Sequence, residues 1–160
     1  EEASTYFDPA QLTHIRFIAG GTTRFDSVKN GLQAVKEPGV IFVHDGVRCL
    51  VSSDLIKKCY EEALVHGSAI PAVNATDSIR LISGDTHQVV DRNLVKIIQT
   101  PQTFLSTLLL PAFEQPYQAS FTDEATVVEA AGHTVRLIEG EYSNLKITRP
   151  QDLIVAESLF

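Results

Sequence analysis

Arg48, Arg92 and Lys146 each stand where an apolar, strand-like run gives way to a loop or helix, in a chain carrying 13 Lys and Arg against 20 Asp and Glu. A formal net charge of -7 repels polyanions over most of the surface, so cations at strand ends point to a compact anion held locally. Phosphate is the anion that a guanidinium grips with two parallel N–H donors. Asp45, three residues before Arg48, adds a carboxylate able to orient a metal ion or a sugar hydroxyl; an internal salt bridge between the two accounts for the same spacing. Lys146, between Leu145 and Ile147, either faces solvent on a half-exposed strand or delivers its ammonium to a ligand at the strand end. The run from Gly20 to Ser27 offers glycines for close backbone approach and a helix start with unpaired N–H donors, although a tight turn capped by Asp26 or Ser27 reads the same way. Arg92 beside Asp91 equally fits a solvated surface pair, and Ser78, Thr100 and Thr122 fit caps or turn formers.

These residues need a scaffold. Ile15 to Ala19 reads as a short strand and Ser27 to Val35 as a helix after it. Val40 to Val43, β-branched and aromatic without polar alternation, reads as a fully buried strand with Asp45 and Arg48 in the loop at its carboxyl end. Ser52 or Ser53 caps a helix to about His66, with Leu55, Ile56, Tyr60, Ala63 and Leu64 at helical spacing and Gly67 as its stop. Ala69 to Val73 is the next strand. Alternation from Asp77 to Val90 around Ser83, Gly84 and Asp85 predicts a β-hairpin, suited to contact with a second subunit or to a plain surface excursion. Helices are expected over Leu105 to Phe113, over Thr122 to Ala131 with Thr122 as cap, and from Pro150 onward; strands over Thr134 to Ile138 and Leu145 to Ile147. This alternation predicts a three-layer α/β domain with a largely parallel sheet, whose ligands sit beyond the carboxyl ends of its strands.

At 160 residues and 44% hydrophobic composition, the chain suffices for one domain with a real core, spanning 1–160 with 77–91 as an arm. Its acidic balance argues against nucleic-acid or anionic-membrane surfaces, which need broad basic patches. Cys49 and Cys59 form no CxxC pair, which fits a reduced, cytoplasmic setting, and the five His residues lack zinc-ligand spacing. No apolar stretch approaches the roughly 20 residues of a membrane span. The chain starts at Glu1 and contains no Met, so its natural start is expected upstream.

Taken in order, the pieces stop being generic. Gly20-Gly21 with Arg24 and Ser27-Val28, Val43-His44-Asp45 with Arg48, Asp77-Ser78-Ile79-Arg80, Asp91-Arg92, Thr100-Pro101-Gln102 with Phe104, Thr122-Asp123-Glu124-Ala125, and Asn144-Leu145-Lys146-Ile147-Thr148 with Pro150 and Asp152-Leu153 closely resemble the 2-C-methyl-D-erythritol 4-phosphate cytidylyltransferase family. The resemblance runs from about Ile15 to Phe160. It implies a three-layer, Rossmann-like nucleotidyltransferase sheet with an inserted β-hairpin arm, a homodimer formed through that arm, and a CTP-dependent activity of the non-mevalonate isoprenoid pathway. It also implies a divalent metal, Mg2+, bound with CTP and not by a set of protein ligands. By motif, Gly21, Ser27 and Gly46 would touch the nucleotide, and Asp45 would lie between cytidine and the acceptor. Arg48, Ser78, Thr100 and Thr122 would hold methylerythritol phosphate. Arg92 would reach across the dimer interface into the partner's acceptor site, and Lys146 would face the reacting phosphates. Asp45, Arg92 and Lys146 are thus the implied catalytic residues.

The family's Gly-rich nucleotide loop belongs to a first βα unit expected upstream of Glu1. Departures from the family pattern are small: Gly46-Val47 and Cys49 in the loop after the strand, Thr22-Thr23 where acidic residues are common, and Ser78 for threonine. Two alternatives share these motifs: a cytidylyltransferase for another polyol phosphate such as ribitol 5-phosphate, and a non-catalytic dimeric binding module.

Overall fold

A computed structural model of the chain describes residues 13–159. They fall into two compact units divided between Lys36 and Glu37. Among the described residues of the first lies the helix α1 (Arg24–Leu32), with Phe25 and Leu32 buried. Thr23 is its N-cap: the Thr23 hydroxyl accepts the Asp26 N–H at 3.1 Å while the Asp26 carboxylate accepts the Thr23 N–H at 3.1 Å. This reciprocal box satisfies two donors that a helix start leaves open, so the helix begins three residues before the expected Ser27, and the cap is Thr23 in place of Asp26 or Ser27. Ile15 to Ala19 is irregular backbone and not a strand. An apolar run states a preference for burial, but a strand also needs a neighbouring edge to complete its ladder.

The second unit runs β1 (Val40–Val43), α2 (Ser53–His66), β2 (Ser68–Asn74), β3 (Ile79–Ser83), β4 (Thr86–Val90), a 3-10 turn (Arg92–Leu94), β5 (Lys96–Ile98), β6 (Gln102–Leu105), α3 (Ser106–Ala112), α4 (Glu124–Ala130), β7 (Leu137–Glu139) and α5 (Pro150–Ser158). Five strands share one sheet in the order β1-β6-β2-β5, with β7 also on β2; β3 and β4 form a separate hairpin. Only the β2–β7 pairing is parallel, while β1–β6, β2–β6 and β2–β5 are antiparallel. The expected largely parallel sheet is therefore a mixed one. After the hairpin the chain returns directly beside β2 without a helical crossover, and a direct return must run antiparallel.

That return is not a continuous ladder. Ser68 faces Phe104 and Ala72 faces Ile98, so four residue steps on β2 oppose six on the returning chain, and the excess lies around Gln99, Thr100 and Pro101. Such bulges re-aim side chains, and here Thr100 is sent toward the carboxyl end of β1.

Helix α2 lies on β1, β2 and β6. Leu55, Cys59 and Ala63 form its inner stripe against Ala69 and Ile138. Ile56, Tyr60 and Leu64, also at helical spacing, remain 40–52% exposed. Ser52 caps this helix through the Leu55 N–H at 2.9 Å and Gly67 ends it, as the residue types predict. Strand β1 is half-buried along its length, not fully buried.

Three further boundaries move. Gln102–Leu105 is a strand ahead of α3, so the helix expected from Leu105 begins one residue later, at Ser106. Asp123, not Thr122, caps α4, through a box with Thr126. Leu145 to Ile147 is irregular: Ile147 N–H donates to Val47 O at 2.9 Å, tying this stretch to the loop after β1 instead of to a ladder. Among the described residues no helix is long and apolar enough to cross a membrane.

Candidate active site

The bulge and the loop after β1 bring Asp45, Arg48, Thr100 and Lys146 together. Arg48 is buried at 8% exposure, and its Nε donates to Asp45 Oδ2 at 3.4 Å while one terminal nitrogen donates to Asn144 O at 2.7 Å. The same Asp45 Oδ2 lies 3.1 Å from Lys146 Nζ. The internal salt bridge envisaged for Asp45 and Arg48 is thus present, and Lys146 joins it. One carboxylate against two cations leaves a local positive excess in an acidic chain. Arg48 is fixed by protein contacts, whereas the Lys146 side chain is 48% exposed. A half-exposed ion pair contributes only about 0–1 kcal/mol, so its ammonium can turn to an arriving phosphate at little cost.

Thr100 is oriented from two sides. Asp45 N–H donates to Thr100 Oγ1 at 3.0 Å, and the same hydroxyl lies 2.9 Å from His44 Nδ1. His44 Nε2 is 3.0 Å from Arg48 O, a group that only accepts, so in the neutral ring Nε2 carries the hydrogen and Nδ1 accepts the Thr100 hydroxyl. His44, Gln99 and Asn144 complete this arrangement. Sequence reasoning passed over them as neighbours of motif residues, because their bonds join segments 42 to 56 residues apart.

Other expected site residues lie elsewhere on the second unit. Arg92, exposed at the hairpin base, donates to Thr76 O at 2.8 Å. Ser78 and Thr122 are exposed; the Thr122 N–H donates to Thr126 Oγ1 at 3.2 Å. The start of α4 is tied to β6 by buried Gln102, whose amide donates to Asp123 Oδ2 and accepts the Ala125 N–H, both at 2.8 Å. Gly46 is exposed, and a Cβ added there would meet nothing within 4 Å, so the protein itself does not demand glycine at that position.

In the first unit, Gly21 and Ser27 bind each other: Gly21 N–H donates to Ser27 Oγ at 2.9 Å, and that hydroxyl donates to Thr23 O. A Cβ on Gly21 would lie 2.2 Å from Asp26 Cβ, so this turn excludes any larger residue. Of the candidate groups, then, Asp45, Arg48, Thr100 and Lys146 form one cluster, and Gly21 with Ser27 a second.

A cavity of about 340 Å³ lies apart from the cluster, lined by Asn74, Lys96, Ile138, Glu139 and Tyr142 among others. None of the residues named there belongs to the Asp45, Arg48, Thr100 and Lys146 cluster. Among the described residues no group of three or more His, Cys, Asp or Glu side chains could hold a metal ion.

The family model described as "IspD: 2-C-methyl-D-erythritol 4-phosphate cytidylyltransferase" matches residues 2–160. The 2-C-methyl-D-erythritol 4-phosphate cytidylyltransferase of Bacteroides fragilis is 47% identical over 140 residues, covering 88% of this chain and 64% of the relative. A bifunctional enzyme IspD/IspF of Desulfotalea psychrophila is 42% identical over 99% of this chain and 42% of its own length. The crystal structure of 2-C-methyl-D-erythritol 4-phosphate cytidylyltransferase from Thermus thermophilus superposes with a TM-score of 0.82 at 37% identity, covering 96% of this chain and 77% of that one. The chain spans 64% of the length of the Bacteroides relative.

Proposed function

This chain belongs to the 2-C-methyl-D-erythritol 4-phosphate cytidylyltransferase family, and we propose that the protein transfers the cytidylyl group of CTP to 2-C-methyl-D-erythritol 4-phosphate. The products are 4-diphosphocytidyl-2-C-methyl-D-erythritol and pyrophosphate, in non-mevalonate isoprenoid biosynthesis in the cytoplasm. Its three-layer, Rossmann-like α/β fold with an inserted hairpin is that of nucleotidyltransferases. The observation that carries the reading is the convergence of Arg48 and Lys146 on Asp45 beside Thr100.

In the transfer, an oxygen of the acceptor phosphate attacks the α-phosphorus of CTP and the bond to pyrophosphate breaks, the pyrophosphate leaving with the bonding electrons. Two anions must approach, so the barrier falls when fixed cations offset their repulsion and hold the attacking oxygen in line. Arg48 and Thr100 hold the acceptor phosphate from within the cluster, and Ser78 and Thr122, which are exposed outside it, are assigned to the acceptor on the family pattern alone. Lys146 moves its charge onto the reacting phosphates, Asp45 stands between nucleotide and acceptor, and Gly21, Ser27 and Gly46 contact the nucleotide. No general base is needed, since the acceptor phosphate is ionised at neutral pH.

A divalent ion such as Mg2+, if supplied with CTP, would offset part of the charge of its phosphates. A lone carboxylate already paired with cations, Asp45, fits an ion held mainly by phosphate oxygens and water. The domain acts as a homodimer through the 77–91 arm, in keeping with exposed Leu81, Ile82 and Val89 on the hairpin, and Arg92 serves the partner's acceptor site.

Pyrophosphate release by the full-length protein with CTP and either acceptor tests the reading. Faster turnover with methylerythritol phosphate is expected. Faster turnover with ribitol 5-phosphate, or acceptor binding without any turnover, would overturn it.

A further inference from the structure

We infer that Asn144 is a positioning residue: it fixes the 140–146 loop so that the Arg48 guanidinium and the Lys146 ammonium bear on the same point beside Thr100. This rests on the proposed transfer reaction. Asn144 is fully buried, and its two polar ends serve different parts of the cluster. Its Nδ2 donates to Thr100 O at 2.8 Å, and its backbone carbonyl accepts from Arg48 at 2.7 Å and from Gln99 Nε2 at 3.5 Å. Lys146 follows two residues later and meets Asp45 at 3.1 Å. One residue therefore ties together the strand-end bulge that carries Thr100, the buried cation, and the half-exposed one.

The loop is fastened at its other end as well. Gln99 Nε2 donates to Glu141 O at 2.7 Å and Glu141 N–H donates back to Gln99 Oε1 at 3.1 Å, so the Gln99 side chain replaces a strand in a two-bond bridge. A Cβ on Gly140 would come within 2.3 Å of that Oε1, so the loop reaches Gln99 only with glycine there. Gln99 and Asn144 thus pin both ends of a segment that has no ladder of its own.

Asn144 Oδ1 is buried with no hydrogen-bond partner among the described residues. The amide is thus bonded through its nitrogen, not its oxygen. What it supplies is the Nδ2 donor to Thr100, at the site where both cations act.

A double-mutant cycle on the full-length protein tests this by kcat and acceptor KM, with thermal unfolding followed in parallel. Asn144→Ala should lower kcat about tenfold or more while changing acceptor KM less. In a Lys146→Ala background the same substitution should lower kcat by a smaller factor than it does alone, because one of the two charges that it misplaces is already gone. Asn144→Ser, smaller in its disturbance, should follow the same pattern and serves if the alanine variant does not fold. Equal losses in both backgrounds would overturn the positioning role, as would losses that only track a lowered melting temperature. Absence of transfer by the wild-type protein would instead overturn the reaction itself, and this inference with it.

Discussion

Replacing Lys146 with alanine separates catalysis from stability. Its side chain is 48% exposed and pairs with Asp45 at 3.1 Å, an interaction that at such exposure contributes about 0–1 kcal/mol. Asp45 keeps Arg48 at 3.4 Å after the substitution, so its carboxylate is not stranded. For a domain of this size 1 kcal/mol corresponds to roughly 2–4 °C in melting temperature, which bounds the shift. The kinetic loss should be larger. Removing one charge that stabilises the transition state costs at least about tenfold in turnover, or about 1.4 kcal/mol, and losses of about 10²–10³ are common for groups acting on developing charge. Pyrophosphate release under saturating CTP and acceptor, with calorimetric melting of the same preparation, measures both. Wild-type turnover in the variant would refute the role of Lys146. A collapse of melting by tens of degrees would refute the claim that its ion pair is expendable.

Other consequences are independent of that result. Arg92→Ala should chiefly raise acceptor KM, and a mixed dimer of Arg92→Ala with Lys146→Ala should recover one working site, about half of wild-type turnover; an inactive mixed dimer would argue against the cross-subunit role. Burial pushes the Cys59 thiol up from its ordinary value whereas Cys49 is exposed, so a thiol reagent at neutral pH should label Cys49 alone, and equal labelling would contradict the packing of α2. The Thr148 and Arg149 N–H groups hold the Asp152 carboxyl below its usual range. Its contribution is therefore present above the ordinary carboxylate pKa and lost as pH falls through the lowered one. The melting difference between wild type and Asp152→Asn should be widest near neutral pH and shrink on acidification; a gap that widens in acid would contradict the sign.

Local chemistry was legible where a residue type dictates it. Ser52 and Gly67 bracket α2 because a hydroxyl cap and a terminal glycine leave few alternatives, and the hairpin follows from alternation around Gly84-Asp85. The strand at Gln102–Leu105 was not legible: its four residues suit a helix start as well, and only pairing with β1 and β2 decides. Leu145 to Ile147 looks like a strand by composition, yet its neighbour is a loop. In the site, Asp45, Arg48 and Lys146 were readable as charges at the ends of apolar runs. Asn144 and Gln99 were not, since the meaning of a buried amide lies in partners that only the folded chain supplies.

A crystal structure of the full-length protein with CTP and methylerythritol phosphate would test most directly whether the Arg48–Lys146 pair is where two phosphates meet. The expected result is phosphate oxygens within hydrogen-bond distance, about 3 Å, of both the guanidinium and the ammonium. Phosphates seated instead in the cavity beside Lys96 and Tyr142, with Arg48 and Lys146 untouched, would contradict it.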